Sequence, residues 1–157
     1  TPDRVRETLF NWLGQSLFGW RCVDPFAGTG ALGLEAASRD AAHVLLCEVD
    51  PALVEQLSKQ VARLKATTVH VQRTDGVACL KQLMPSSVDL VFLDPPFDSA
   101  LFEPALQAAA KAVKTEGWVY LEAPAVWTDE ALAPFGLMQH RHLKAGAVHA
   151  HLLRRVA

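Results

Sequence analysis

The chain has 157 residues, half of them apolar, which suits a soluble globular protein with a sizeable core. It contains no run of about 18 apolar residues and no recognisable signal peptide, so nothing in it predicts a membrane protein. Its formal net charge of −2 gives no overall nucleic-acid signature. The three cysteines form no C-x-x-C pair, so no zinc or redox motif is indicated. Cys22 and Cys47 lie in apolar runs and are expected to be small buried thiols, as suits a cytoplasmic protein.

Strand-like apolar runs alternate with helical patterns along the first half of the chain. This half predicts a helix over residues 1–13, a strand over 21–26, a helix ending near 39, a strand over 43–49 and a helix over 51–65. Asp50 and Pro51 are of the types preferred at a helix N-cap and at the first helical position.

The second half continues the alternation and then changes character. It predicts a strand over residues 69–72, a helix over 75–83, a strand over 88–93, a loop over 94–98, a helix over 100–113 and a strand over 118–122. The run VDLVFL at 88–93 is the most apolar and is expected at the sheet centre. Residues 137–143 and 148–154 flank a turn-like spacer and predict an antiparallel hairpin. The whole pattern predicts one α/β domain over 1–157: a mostly parallel, Rossmann-like sheet with helices on both faces and a C-terminal antiparallel hairpin.

The first strand runs into the stretch DPFAGTGALG, residues 24–33, which contains the glycine pattern G-x-G-x-x-G. Glycines between a strand and a helix let backbone N–H groups approach a ligand, at the edge where open parallel sheets bind ligands. A tight turn without a ligand would also use glycines. However, Glu48 ends the next strand, at the position where an acid bonds ribose hydroxyls. Together these features predict a nucleotide-type ligand.

Asp24 bears on which nucleotide-type ligand the loop holds. A dinucleotide places a pyrophosphate at the helix N-terminus, where the Asp24 carboxylate would repel it. S-adenosylmethionine has no phosphate and carries an ammonium and a cationic sulfur, so a carboxylate favours this ligand. Asp75, after the third strand, is either an acceptor for the adenine amino group or a helix N-cap.

A second motif, DPPF at residues 94–97, follows the fourth strand. In a doubly wound sheet that strand lies beside the first, so the motif faces the glycine loop across a crevice. Pro95 and Pro96 remove two N–H donors, and the turn presents the Asp94 carboxylate and the Pro95 carbonyl as acceptors. Such a pair can hold an exocyclic NH₂ and aim its nitrogen at a methyl donor, while Phe97 offers a face on which a base can stack. A rigid loop with a buried Phe97 is the alternative.

These stretches, DPFAGTGALGLEA and LDPPF, resemble the class I S-adenosylmethionine-dependent amino-methyltransferases. TPDRVRETLFNWL and GALGLEAASR resemble more closely the bacterial guanine-N2 methyltransferases of small-subunit (16S) ribosomal RNA, the RsmD-type family. The match spans nearly the whole chain and is strongest at 2–13, 23–39 and 94–97, fair at 120–122 and weaker from 124 onward. Members of that family carry a short basic segment ahead of the first helix, so an N-terminal piece is expected to be missing here. They vary at the positions of Pro25 and Asp75.

The resemblance implies a role for each site residue. The cofactor S-adenosylmethionine would contact Asp24, Phe26, Gly28 and Gly30 at its methionine end, Glu48 at its ribose, and Asp75 with Gly76 at its adenine. The target guanine would be held by Asp94, Pro95, Pro96 and Phe97. Arg4 and Arg6 of the first helix would contact RNA phosphate or the cofactor rim, the alternative being a solvated helix face. The implied partner is the small ribosomal subunit, the expected state is a monomer, and the chemistry needs no metal.

Other functions remain possible at this point. Related motifs occur in enzymes that methylate adenine in DNA or a protein glutamine. An NAD-dependent oxidoreductase is disfavoured by Asp24 and the DPPF turn, and a noncatalytic RNA-binding module by the complete site. Two H-x-H pairs lie on the predicted hairpin, each on one strand face by alternation; they are His140 with His142 and His149 with His151. Because no acid or cysteine joins them, half-exposed polar residues are predicted rather than a metal site.

Overall fold

The computed structural model describes residues 1–97 and 100–157. The strands are β1 (Arg21–Asp24), β2 (His43–Glu48), β3 (Val69–Arg73), β4 (Val88–Leu93), β5 (Val113–Ala123), β6 (Leu137–Ala145) and β7 (Val148–Arg155). The helices are α1 (Asp3–Leu13), α2 (Ala31–Ser38), α3 (Pro51–Leu64), α4 (Gly76–Gln82), α5 (Phe102–Ala112) and α6 (Asp129–Leu132), and a 3-10 turn covers Ala133–Phe135. None of the helices in these two ranges is long and apolar enough to cross a membrane.

The strands form one sheet in the order β3-β2-β1-β4-β5-β7-β6. β3, β2, β1, β4 and β5 are parallel, whereas β7 runs antiparallel to β5 and to β6. The predicted mostly parallel sheet with a C-terminal antiparallel hairpin is therefore confirmed. From β1 the chain winds outward to β3, and it then returns to add β4 on the other side of β1. This reversal opens a crevice at the carboxyl ends of β1 and β4, where doubly wound sheets bind their ligands.

Helices cover both faces of the sheet and bury two hydrophobic layers. α1, α2 and α3 pack on the face that carries Leu46, Phe92 and Tyr120. α4, α5 and α6 pack on the face that carries Val91 and Leu121. Fully burying a side chain of this size contributes about 1.5–3 kcal/mol, so the two layers hold the strands in register. β4 is buried along nearly its whole length, which confirms its predicted place at the sheet centre.

The start of α3 shows how local sequence sets an element. The Asp50 Oδ1 atom accepts hydrogen bonds from the N–H groups of Ala52 (2.9 Å) and Leu53 (3.4 Å). Pro51 occupies the first helical position, where its missing N–H costs nothing. The predicted N-cap is confirmed, and it fixes the chain direction immediately after β2 delivers Glu48.

Two elements differ from the sequence-based expectation. β5 begins at Val113 rather than near 118, because Val113 pairs with Val88 before a register shift leads to the Leu90–Trp118 pair. α6 and the 3-10 turn that follows it were not predicted; Thr128 caps α6 by accepting a hydrogen bond from the Ala131 N–H. The predicted loop 94–98 ends on a residue outside the described ranges.

The cysteines divide into one free and two bonded residues. Cys22 is fully buried as a thiol, as predicted, and burial raises its pKa to about 12. Cys47 is buried too, but the expectation of a free thiol is wrong for it. Its sulfur is bonded to that of Cys79, because the end of β2 and the middle of α4 lie side by side in the same apolar layer.

Gly33 allows α2 to pack closely on β2. A Cβ at this position would lie 2.2 Å from Leu46 Cδ2, and Leu46 is fully buried. Helix propensity favours alanine over glycine by about 1 kcal/mol, whereas overpacking a core costs about 1–3 kcal/mol. We therefore expect Gly33→Ala to lower the free energy of unfolding in urea by up to about 2 kcal/mol. The exposed control Ser38→Ala should change it by less than about 0.5 kcal/mol, and a stabilised Gly33→Ala would show that this contact is not tight.

Candidate active site

Four carboxylates lie at one edge and on one face of the sheet. In spatial order they are Glu48 on β2, Asp24 on β1, Asp94 after β4 and Glu122 on β5. Asp24 pairs with Leu46, while the pairing of Leu93 with Leu121 brings Asp94 beside Glu122. Since side chains alternate along a strand, all four carboxylates belong to the face on which α1, α2 and α3 pack.

A cavity of about 490 Å³ opens at this edge of the sheet. Nine of the residues predicted from the sequence line it: Phe26, Gly28, Glu48, Asp75, Gly76, Asp94, Pro95, Pro96 and Phe97. An adjoining cavity of about 260 Å³ is lined by Asp24 and Thr1 and shares Phe26, Gly28 and Asp94 with the first. The glycine loop and the DPPF turn therefore both line the larger cavity, as the predicted order of β1 and β4 requires.

The glycines of the loop have different tasks. Gly28 has a φ of +56°, and a Cβ there would meet only open space, so bare backbone faces the cavity. Gly30 has a φ of +80° and is buried; a Cβ there would lie 2.6 Å from Leu57 Cδ2. Gly30 lines neither cavity, so it shapes the turn into α2, whereas Gly28 leaves room for a ligand to approach.

Glu48 is held in a fixed orientation by backbone donors. Its Oε1 accepts from the Gly28 N–H (2.9 Å), and its Oε2 accepts from Val49 (2.9 Å) and Asp50 (3.0 Å). The carboxylate thus ties the glycine loop to the end of β2 while still lining the larger cavity. Three charge-assisted hydrogen bonds also offset the cost of removing this charge from water.

Asp75 combines the two alternatives that the sequence left open. Its Oδ2 accepts a hydrogen bond of 2.9 Å from the Ala78 N–H, which makes it the N-cap of α4. The same residue is exposed and lines the larger cavity, next to Gly76. A Cβ on Gly76 would lie 2.6 Å from the Pro25 carbonyl oxygen, so glycine permits α4 to start against the glycine loop.

Asp24 is a buried carboxyl group with a raised pKa. It is 3% exposed, and burial, followed by the charge of Asp94, raises its pKa to about 8. A hydrogen bond from the Phe26 N–H opposes the shift, and the charges of Glu122 and Glu48 add to it. A cation bound beside Asp24 would remove this penalty, so the cavity next to it favours a positively charged group.

The first two residues of the DPPF turn are shielded from solvent, and the last two are exposed. Asp94 is half-buried, and burial, followed by the charge of Glu122, raises its pKa to about 6. Pro95 is buried, which holds the turn against the protein, while Pro96 is exposed. Phe97 is 38% exposed and lines the larger cavity, so the alternative of a buried ring is wrong.

Arg4 and Arg6 lie on α1 and line neither of the two cavities. Arg6 forms ion pairs with Asp3 (3.4 Å) and Glu35 (4.0 Å), while Arg4 is exposed on the helix surface. The pairing of Arg6 with Asp3 matches the solvated-face alternative for that residue. Arg4 has the exposure that contact with a large partner would need.

Glu122 and Thr1 also lie at the site, although no motif in the sequence indicated them. Glu122 is 2% exposed and accepts a hydrogen bond from the Thr1 Oγ1 hydroxyl, while Thr1 lines the smaller cavity. The available signal was an acid near the end of the fifth strand, the same pattern that singled out Glu48 on the second strand. The sequence alone does not show that β5 pairs with β4, and only this pairing places Glu122 beside Asp94.

The hairpin histidines separate into two groups. His149 and His151 share a face as predicted, and His142 joins them, with its Nε2 2.9 Å from His149 Nδ1. His140 does not share a face with His142, which corrects the prediction. It is the extra residue of a register shift between Gln139 and Arg141, and it packs against Trp118 instead. Both ring nitrogens of His151 are engaged, with the Trp127 N–H and the Leu121 carbonyl.

Comparison with known proteins assigns the chain to a family. The family model "Conserved hypothetical protein 95" matches residues 1–154. Ribosomal RNA small subunit methyltransferase D of Escherichia coli is 40% identical over 162 residues, which cover all of this chain and 79% of the relative. The chain belongs to the ribosomal RNA small subunit methyltransferase D (RsmD) family. The Haemophilus influenzae protein of the same name is 36% identical and covers 90% of this chain and 80% of its own length.

Solved structures agree with this assignment. YhhF of Escherichia coli, a candidate methyltransferase, superposes with a TM-score of 0.84 at 37% identity, over all of this chain and 88% of its own. The candidate methylase HI0767 of Haemophilus influenzae gives 0.84 at 33% identity, over 99% and 98% of the two chains. The methyltransferase fold inferred from the two motifs is therefore confirmed.

The raised pKa of Asp24 makes folding stability depend on pH in a defined direction. Between about pH 4 and pH 8 the unfolded chain ionises this group while the folded protein retains the proton, so stability falls as pH rises. We expect Asp24→Asn to be more stable than the parent at pH 8 by more than about 1 kcal/mol, with the difference shrinking toward pH 5. Urea unfolding at several pH values measures this.

The control for this prediction is Asp40→Asn. Asp40 is exposed and has a φ of +74°, which asparagine tolerates, so its replacement should give the same pH dependence as the parent. A loss of stability in Asp24→Asn at pH 8 would contradict the assignment of Asp24 as a buried, unfavourably placed carboxylate.

Proposed function

We propose that this protein transfers a methyl group from S-adenosylmethionine to the exocyclic N2 of a guanine in small-subunit ribosomal RNA. One observation carries the proposal: the acceptor-rich DPPF turn and the glycine loop line the same cavity, together with Glu48 and Asp75. The turn suits a planar amine, and the loop suits a cationic nucleoside. Family membership supplies the class of reaction and the kind of RNA.

The cavity residues fit S-adenosylmethionine in charge and in shape. Burial and the charges of Asp94, Glu122 and Glu48 raise the pKa of Asp24, and the ammonium of the methionine end would favour its ionised form. Gly28 leaves open space where a side chain would otherwise fill the cavity. Glu48, already oriented by three N–H donors, would accept from the ribose hydroxyls, and Asp75 from the adenine amino group.

The DPPF turn fits a guanine that has left its stack. Asp94 and the Pro95 carbonyl would accept the two protons of the exocyclic amine, while the exposed ring of Phe97 would stack on the base. A guanine paired within a helix could not reach a cavity edged by this turn, so a flipped or unpaired nucleotide is the substrate form.

The protein contributes to the reaction by positioning the amine and by stabilising the charge that develops on its nitrogen. S-adenosylmethionine, when bound, supplies a methyl group on a cationic sulfur that is a good leaving group. Asp94 and the Pro95 carbonyl hold the amine so that its lone pair faces that methyl group, which converts a bimolecular encounter into an aligned one. The Asp94 carboxylate also stabilises the positive charge that develops on the nitrogen.

Contacts with the RNA beyond the target base are assigned to α1. Arg4 and Arg6 are the candidates, and Arg4 is the better placed because its side chain is exposed. Such phosphate contacts position a nucleic acid without reading its sequence. The relatives named ribosomal RNA small subunit methyltransferase D support ribosomal RNA as the substrate class.

Ligand-induced stabilisation separates the proposed cofactor from a dinucleotide. A ligand at about 100 times its Kd stabilises a protein by about 2.7 kcal/mol, or about 5–10 °C in Tm for a chain of this size. We expect such a rise with S-adenosylmethionine and none with NAD, because Asp94, and Asp24 when it is ionised, would repel a pyrophosphate. Asp24→Asn should reduce the rise. A shift with NAD alone would refute the cofactor assignment.

Methyl transfer to small ribosomal subunits that lack the modification tests the reaction itself. With tritiated S-adenosylmethionine and nucleoside mapping, we expect label in N2-methylguanine. Asp94→Ala should lower the rate by about 10²-fold or more while leaving cofactor affinity nearly intact, because it removes the main acceptor for the amine.

Asp89→Asn is the matched control for Asp94→Ala. Asp89 lies on the same strand at its other end, where it accepts from the Arg21 N–H and pairs with Lys114, so its replacement should leave the rate unchanged. Full activity in Asp94→Ala would remove Asp94 from the mechanism. Label in N6-methyladenine or in protein glutamine would replace the proposed substrate by one of the alternatives.

A further inference from the structure

We propose that Glu122 is a positioning residue of this site, which acts through Asp94 and makes that carboxylate the acceptor of the proton released from the methylated amine. The inference rests on the proposed function and adds a residue and a proton-transfer step to it. It concerns a side chain that neither the cofactor assignment nor the DPPF motif includes.

The position of Glu122 is fixed by the pairing of β4 with β5. Leu93 pairs with Leu121, so the next residues along the two parallel strands, Asp94 and Glu122, emerge side by side. Both lie on the face that carries Phe92 and Tyr120, and Asp94 lines both cavities. Glu122 is 2% exposed and lines neither cavity, so any effect it has on the site would pass through Asp94.

The surroundings of Glu122 keep its carboxylate in place. The Thr1 hydroxyl donates to its Oε2, which links Glu122 to the segment ahead of α1. The phenol of Tyr120 lies next to it on the same strand, and burial with the charge of Glu122 raises the pKa of that phenol. On the far side Glu122 pairs with Ala150 of β7, so the backbone on both flanks is fixed by the sheet.

The proposed step balances in atoms and charge. As the N2 lone pair forms the bond to the methyl carbon, the electron pair of the carbon–sulfur bond goes to sulfur, which becomes neutral. The nitrogen then carries one proton more than the neutral product needs. Asp94 takes that proton and later releases it to solvent, so the carboxylate is regenerated and no further reactant is required.

The charge of Glu122 makes Asp94 better suited to this task. An isolated aspartate is a weak proton acceptor, and one with a pKa closer to neutrality accepts a proton more readily while still being ionised at pH 7. Burial, followed by the charge of Glu122, raises the pKa of Asp94 to about 6. The other titratable groups that face Asp94 are Asp24 on β1 and the phenol of Tyr120 on β5.

The test is the pH dependence of kcat/KM for undermethylated small subunits at saturating S-adenosylmethionine. For the parent protein we expect activity to fall below about pH 6, where Asp94 becomes protonated. Glu122→Gln removes a charge and keeps the shape, so the fall should move to lower pH by roughly half a unit or more. At pH 5.5, Glu122→Gln should then retain about twice the fraction of its plateau rate that the parent retains.

Two variants separate this effect from a structural one. Glu122→Asp keeps the charge, so its kcat/KM should fall at about the same pH as that of the parent, even where the plateau rate is lower. Glu116→Gln removes an exposed charge near the other end of β5, where Glu116 pairs with Arg154, and should leave the profile unchanged. Should Glu122→Gln fail to fold, Glu122→Met offers a neutral side chain of similar length with the same expected shift.

The outcomes distinguish this inference from the proposed function. An inactive parent protein would contradict the proposed function. An active parent whose profile is unchanged by Glu122→Gln, or that shows no fall near pH 6, would overturn the role of Glu122 alone. A shift to lower pH in Glu122→Gln, restored in Glu122→Asp, would support it.

Discussion

The site depends on one electrostatic constraint: a carboxylate, Asp24, is buried at the end of β1 with other carboxylates as its neighbours. The sheet order makes this unavoidable, because β2, β1, β4 and β5 are adjacent and parallel and each brings an acid to the same edge. Their environments differ, however. Glu48 receives three N–H donors, whereas Asp24 receives the Phe26 N–H and keeps a pKa near 8. At pH 7 the ligand-free protein therefore keeps Asp24 mostly protonated, and a cation bound beside it would favour the ionised form.

The two loops that face the cavity treat backbone donors in opposite ways. The glycine loop keeps its N–H groups, and that of Gly28, a residue in a conformation that favours glycine, donates to the Glu48 carboxylate at the cavity. The DPPF turn removes two donors by means of Pro95 and Pro96 and leaves acceptors. Gly76 lets α4 start against the glycine loop, and Gly33 lets α2 pack closely on β2, so packed elements hold the glycine loop in place. A reaction between a donor of a methyl group and a neutral amine needs this asymmetry, since one partner is cationic and the other must be held by its own protons.

Elements that depend on local patterns were predicted correctly from the sequence. Features that depend on which strands pair were not. β4 was placed to the residue, and the cap at Asp50 was correct, because apolar runs and capping chemistry are local. The early start of β5 could not be seen, since residues 114–116 are exposed and polar and join the sheet only through the pairing of Val113 with Val88. His140 left the face of His142 because of a register shift that no alternation rule foresees. Glu122 entered the site for the same reason: its importance comes from β4 beside it.

The glycine pattern at residues 24–33 also occurs in dinucleotide-binding turns, and the structure explains why the pattern alone does not identify a ligand. Gly30 and Gly33 serve the turn and the contact of α2 with Leu46 and Leu57, which any strand–turn–helix unit of this shape needs. Gly28 provides access for a ligand of either kind. What discriminates is charge: the acids at the ends of β1, β4 and β5 disfavour a pyrophosphate and favour a cation. If Glu122 also sets the basicity of Asp94, the same row of carboxylates serves both partners of the reaction, attracting the cationic donor at one end and accepting the product proton at the other.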